Sequence, residues 1–433
     1  MTDRCKSWIV GAILLAATSA TAPDARAQTQ TDSAAASATY SGYRQTPTLE
    51  GPDGVVTQLD EGDVRTQPVL SFPKVEAFFQ PFFDWKARIN KDYGLKLQFS
   101  YQVLYQGTNE DVPYTSSTAG RAQIQGAWTL VDRGGKNPGL LTFRLENRYT
   151  IDSEIPPSQF GFQFGSLTPT GGGFSDFGFA WTELAWRQTL MDGKFKFIVG
   201  KISATSWYNG YALSSPMTGF QNTGLQSSLT KPAPGRGIGG GIGYQFNPNF
   251  VMVAGVHDAN AKTADNPFDT IHLKEFYYST EFRWYTTTPD RSKWDQVRVQ
   301  FWYQDPLEEK GTPAGYGMTF AASHLFQDRY MPFILGGISN GEASTFQRDL
   351  IAGLGIGFDT VHRTASDVLG VAVGWGDPYA PQLREQYTAE AFYRFQLVQR
   401  VAITPSVQYV KNPSANPNRD DAWLWGLRAR VTF

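Results

Sequence analysis

The last twelve residues, AWLWGLRARVTF (422–433), restrict the fold more than any other stretch of the chain. On an extended backbone Trp423, Trp425, Leu427, Ala429, Val431 and Phe433 share one face, and Leu424, Gly426, Arg428, Arg430 and Thr432 share the other. Period two marks a strand, greasy on one side and cationic on the other. An arginine held against lipid at mid-depth costs about 2–4 kcal/mol, so Arg428 and Arg430 go to water and the tryptophans take the apolar medium. LTFRLENR repeats the split, with Leu141, Phe143 and Leu145 against Arg144, Glu146 and Arg148. VRVQFWYQ does so again, with Val297, Val299, Phe301 and Tyr303 against Arg298, Gln300, Trp302 and Gln304.

Marking every alternating segment gives sixteen spans, from 95–106, 122–132 and 140–150 through to 400–410 and 422–433. The connections tend to alternate long and tight, as in bacterial barrels with an even strand number. The predicted fold is therefore all-β, a transmembrane antiparallel β-barrel of about 16 strands. Composition agrees: aromatic residues make up 14% and there are 43 glycines, yet mean hydropathy is −0.35. No fixed-period repeat supports a soluble propeller or β-helix.

Residues 1–27 read as a signal peptide, with Arg4 and Lys6, the short apolar run SWIVGAILLAATSA and the small residues of Ala25-Arg26-Ala27. Residues 28–77, rich in Ser, Thr, Ala, Gly and Pro, read as a flexible exported leader without periodicity. Residues 78–433 then form the barrel, including a short helix near 83–93 that Asp84 caps and Gly94 ends. The one cysteine, Cys5, precedes the apolar run, which excludes disulfides and thiolate metal sites from the mature chain. A net charge of −2 argues against a nucleic-acid partner.

Gly235, Gly237 and Gly240 spell GxGxxG, but Ile238, Ile242, Tyr244 and Phe246 follow at strand period where a dinucleotide cradle needs a helix. Gly239, Gly241 and Gly243 are instead a bare lumenal stripe against which another segment can lie. The longest connection, 202–235, carries Trp207, Tyr208 and Tyr211 and is placed to fold inwards as a constriction. Guanidinium forks and carboxylates satisfy sugar hydroxyls and aromatic faces cover the apolar side of a sugar ring. The pore-lining candidates are Arg144, Glu146, Lys201, Arg236 and Trp302, with Trp207 and Tyr211 from the loop and Glu183, Arg428 and Arg430 elsewhere on the wall. Wall ion pairs that hold the barrel's shape account for such charges equally well. Catalysis has little support: Ser323 and His324 point to opposite faces of one strand, and no metal-ligand spacing or cofactor motif occurs.

The segments FDWKARINKDYGL, FKFIVGKISATSWYNGYALSSPMTGF and PAPGRGIGGGIGYQFNPNFVMVAGVHDANA resemble, in order, the carbohydrate-selective porins of Gram-negative outer membranes, the OprB-type family. The close, YTAEAFYRFQLVQRVAITPSVQYVKNPSANPNRDDAWLWGLRARVTF, resembles that family most plainly. The likeness runs from about residue 78 to the terminus. It implies a sixteen-stranded barrel in the outer membrane that passes monosaccharides such as glucose by facilitated diffusion, with no cofactor and no enzyme activity. It also implies contact with outer-membrane lipid and lipopolysaccharide, and recognition of Phe433 by the barrel assembly machinery; a homotrimer stays open. Of the family's constriction, only Lys201 in VGK and Arg236 in PGRG lie on stretches that match. Where the family often has two glycines after a tryptophan, Lys86 and Ala87 follow Trp85. The alternatives are a general diffusion porin without sugar preference and an outer-membrane barrel hydrolase.

Overall fold

The computed structural model describes residues 50–433 apart from 64, 65, 67, 209, 287–293 and 358–365. The predicted signal peptide and residues 28–49 of the leader lie outside the described residues. Sixteen strands follow in order: β1 Leu95–Gly107, β2 Ser116–Val131, β3 Gly139–Thr150, β4 Gly178–Leu190, β5 Phe195–Ile202, β6 Gly237–Asn247, β7 Phe250–Asp258 and β8 Phe276–Tyr285. The second half comprises β9 Gln296–Gln304, β10 Gly315–Ser323, β11 Tyr330–Asn340, β12 Phe346–Gly357, β13 Val368–Pro378, β14 Gln386–Val398, β15 Val401–Lys411 and β16 Asp421–Thr432. Each strand pairs with its sequence neighbours, and β16 returns to β1 in antiparallel register from Ser100 opposite Thr432 to Gly107 opposite Trp425. Closure leaves no sheet edge, which is the condition for a sheet to sit in lipid.

The faces divide as the alternation requires. Trp423 is 53% exposed and Leu424 1%; Leu427 is 49% exposed and Arg428 1%. The same outward band continues through Phe179, Trp181, Trp284, Phe301 and Val373. An apolar belt around a whole barrel far exceeds the patch a soluble monomer leaves in water, and acyl chains are its fitting solvent.

Three departures from the sequence expectation have physical causes. β2 begins at Ser116 rather than 122, with Ser116 opposite Gly107; its first turns of pleat, SSTAG, carry no greasy outer residue to mark them. The helix expected at 83–93 is α2, Pro73–Tyr93. It begins ten residues earlier, with Pro81 inside it, and Asp84 accepts from Gln80 Nε2 at 2.8 Å instead of capping. Gly94 does end it, with φ 74° and its N–H on the Asn90 carbonyl at 2.9 Å. Finally, the expected leader holds a helix, α1, Val55–Asp63. Val55 and Leu59 pack against Ala127 of β2, while buried Thr57 and Gln58 meet polar wall. At nine residues, with Val55 and Leu59 as its wall-packed apolar pair, the helix is too short for its stripe to stand out from the surrounding leader.

Candidate functional site: the channel lumen

A sixteen-stranded wall by itself encloses an aqueous bore. Here the connection between β5 and β6, residues 203–236, folds inwards and crosses it. The chain chooses this path because the loop is apolar where the wall is apolar. Tyr211, Leu213, Phe220 and Leu225 pack with Phe333 and Leu335 of β11, Ile351 of β12 and Phe392 of β14. Tyr211 stacks on Phe333 at 4.4 Å and Phe220 meets Phe392 edge-on at 5.0 Å. On the other side Trp207 and Tyr208 join Ile198, Val251 and Val253. Glycine makes room for this approach. A Cβ on Gly241 would lie 3.6 Å from the Trp207 ring, one on Gly374 would lie 3.1 Å from Leu225, and one on Gly255 would collide with the Tyr208 hydroxyl.

Carboxylates of the wall fix the loop's backbone. Glu390 accepts from the Gln221 N–H at 2.8 and 3.0 Å and from the Asn222 N–H at 2.8 Å. Asp349 accepts from the Leu229 N–H at 2.7 Å and the Ser228 hydroxyl at 2.8 Å. Arginines hold its carbonyls: Arg428 donates to Pro216 at 2.6 Å and Gly219 at 3.2 Å, Arg394 to Thr218 at 3.0 Å, and Arg283 to Trp207.

Across the lumen from the β10–β14 packing, the inner faces of β2, β3 and β4 carry a dense ionic cluster. Glu146 pairs with Arg121 at 2.8 Å and Arg148 at 2.5 Å, with Arg144 at 4.0 Å. Glu183 pairs with Arg187 at 2.8 Å and faces Arg236 at 4.0 Å. Among the hydrogen bonds described, Arg121 Nε, Arg144 Nη1 and Arg236 Nη1 have no acceptor although they are buried. The least covered members of the cluster are Arg148, Arg187 and Arg236, whose side chains keep 10–12% of their surface.

The segment 50–63 closes the cluster from the rim where the strands begin and end. Gln58 is its main anchor: its side-chain oxygen accepts from Gln123 at 3.1 Å and Gln125 at 2.9 Å, and its carbonyl accepts from Gln98 at 2.9 Å. Arg144 donates to the Asp53 carbonyl at 2.8 Å, Ser215 of the inner loop donates to the Asp53 carboxylate at 2.8 Å, and Glu50 pairs with Arg187.

The seven candidates on strands project inwards, and the ten divide into two sets. Arg144, Glu146, Glu183 and Arg236 form one constellation. The others serve mainly to hold elements against the wall. Trp207 and Tyr211 are 5% and 2% exposed and face the barrel side of the loop, so they anchor it rather than edge the opening. Trp302 is packed with Tyr277 and Ala204. Lys201 donates to the Asp265 carbonyl of the next long connection at 2.7 Å. Arg428 is covered by the loop instead of meeting open water, while Arg430 lines the pocket beneath it with Glu61 and Arg298. The sequence reading missed Arg121 of β2, the Gln98–Gln123–Gln125 trio and Asp349 of β12; it placed Glu390 on the inward face without its hold on the loop. Ser323 donates to the Trp294 carbonyl at 2.6 Å while His324 pairs with Asp295 at 3.1 Å, so the two do not form a catalytic pair.

On the long-connection side the loop floors a chamber of about 500 Å3 bordered by Thr168, Ser228, Lys231, Lys310 and Glu342. Burial pushes the Lys231 ammonium down to about 8, against the pull of Glu281 and Asp349. It is charged below that pH and neutral above. Raising the pH from about 7 to about 9 is therefore expected to shift the reversal potential in a salt gradient toward cation preference. Lys231→Gln should start near the high-pH value and lose most of that shift; an unchanged titration would place the charge elsewhere.

Residues 341–433 match the family model described as carbohydrate-selective porin, OprB family. In fold, the chain is similar to the high-pH structure of Pseudomonas putida OprB, with a TM-score of 0.66 and 13% identity over 81% of this chain and 97% of that one. The low-pH structure of the same protein gives a TM-score of 0.49 at 13% identity, over 81% and 96%. A stretch of 72 residues is 38% identical to an uncharacterized protein of Nostoc sp., covering 16% of this chain and only 12% of that relative.

Proposed function

We propose that this chain, whose residues 341–433 match the OprB family model and whose fold is similar to that of Pseudomonas putida OprB, is an outer-membrane channel passing neutral monosaccharides by facilitated diffusion. One observation carries the reading: the loop 203–236 is latched across the bore and leaves a neck whose wall carries Arg121, Arg144 and Arg236 beside Glu146 and Glu183. A passing sugar's hydroxyls can accept from the least covered arginines at the cluster's edge, Arg148, Arg187 and Arg236. Wall pairing of the same groups limits how tightly any sugar is held, which keeps release fast. No step in this cycle makes or breaks a covalent bond.

Residues 1–27 would direct export. Phe433 would be the mark read during barrel assembly; its backbone pairs with Phe99, donating at 2.8 Å and accepting at 3.0 Å, where it seals β1. The alternative is a general diffusion pore, in which the inward loop narrows the bore without a preference for sugars. Liposomes containing the purified protein separate the two readings. Swelling in glucose should outpace swelling in a zwitterion of similar size, and equal rates would leave only the general pore.

A further inference from the structure

We propose that α2 is an interfacial helix, docked in the phospholipid leaflet next to the rim where the strands begin and end. None of its residues is buried by the protein. Val75, Phe78, Phe82, Trp85 and Ile89 recur at three- and four-residue intervals and form one stripe. Phe78 is 77% exposed and Val75 50%. The adjoining stripe turns to the barrel: Phe79 lies 5.2 Å from the Phe433 ring, and Phe83 lies under the Arg400 guanidinium at 4.3 Å. Phe82 reaches Phe99, on the outward face of β1, at 5.9 Å. The helix's apolar side is thus continuous with the greasy belt of the barrel wall. Asp84, Arg88 and Lys91 occupy the opposite side.

This arrangement identifies the occupant as lipid. A helix with so many exposed aromatics and no buried residue needs a covering from outside the chain, and helices of this pattern lie flat at the headgroup–acyl boundary. Between α2 and the start of β15 runs a groove of about 200 Å3, bordered by Phe72, Val75, Phe79, Val401 and Val431 and by the polar Glu76, Gln80 and Arg400, a mixed lining suited to the headgroup–acyl boundary. The inference rests on the reading of the barrel as membrane-spanning, and the test separates the two.

Cys5 is the one cysteine in the sequence, so a Cys5→Ser background accepts single labelling sites. Phe78→Cys, Arg88→Cys and Leu427→Cys, each carrying a fluorophore, are reconstituted into phosphatidylcholine–phosphatidylglycerol vesicles with brominated acyl chains. Strong quenching is expected at 78 and 427, and several-fold weaker quenching at 88. Quenching at 427 but not at 78 overturns the helix proposal alone. No quenching at 427 overturns the membrane reading beneath it. A label at 78 shielded from both bromine and aqueous iodide, with energy transfer between labelled copies, would assign the face to a second copy and equally sink the proposal.

Discussion

Deleting residues 50–63 is expected to raise single-channel conductance roughly two-fold or more, because a helix about 10 Å across leaves the bore. The segment is attached to the inner wall rather than woven into it. Its anchors are the Gln58 contacts with Gln98, Gln123 and Gln125, the Arg144 bond to the Asp53 carbonyl, and the Glu50–Arg187 pair. The barrel hydrogen bonds on β1, β2 and β3 do not pass through it, so the wall should assemble without it. Sugar preference should fall with the rise in conductance, since Arg144 and Arg187 would then face bulk water. Gln58→Leu is the companion variant. It keeps the helix's volume but leaves Gln123 and Gln125 without that partner, while Gln98 keeps the backbone carbonyl, and should add current noise at little change in mean conductance. Planar-bilayer recordings decide the matter. Unchanged conductance in the deletion would mean that the inner loop alone sets the neck.

The barrel was legible in the sequence because lipid imposes a harsh rule on every second residue. Arg144 beside Phe143, or Arg428 beside Leu427, admits one orientation only, and sixteen such segments fix strand number and closure. The lumen imposes no comparable rule. Its residues meet water, one another or an inserted loop, and all three environments accept Arg, Glu and Gln. One signal did mark the inserted loop's seat. In MPFILGG, residues 331–337, Met331, Phe333 and Leu335 are as apolar as Pro332 and Ile334 on the other face. A strand apolar on both faces is covered on both, here by lipid and by Tyr211 and Phe220. The glycine stripe of β6 carried the same message in part, since Trp207 does lie over Gly241. No such pattern pointed to α1. Apart from the Val55–Leu59 contact with Ala127 and the Asp60–Lys96 pair, its binding to the wall is amide and carbonyl, and Gln58 looks like any exposed glutamine until three others surround it.

The second large effect is expected at Glu390. Its carboxylate takes the N–H groups of Gln221 and Asn222, both buried, and it is the acidic neighbour of Arg428, which also sits near Arg394 and Arg430. Glu390→Ala leaves two buried donors unsatisfied, at about 1–3 kcal/mol each, and removes the negative charge that offsets three guanidinium groups. Against that, the Tyr211–Phe333 and Phe220–Phe392 contacts hold the loop by apolar burial, worth about 1.5–3 kcal/mol for each fully buried side chain. The two sums are comparable, so the loop is expected to detach locally, around 216–222, rather than leave the wall altogether. In recordings this should appear as frequent conductance flicker and a several-fold loss of block by glucose, while the barrel keeps its heat-dependent gel shift. Glu390→Gln retains one accepting oxygen of the same shape and should fall between the two. Asp349→Ala acts on the other half of the loop, at Ser228 and Leu229, and its effect should add to that of Glu390→Ala, because the two latches hold separate stretches of backbone. Quiet, glucose-blocked channels in the double variant would mean that apolar packing alone positions the loop.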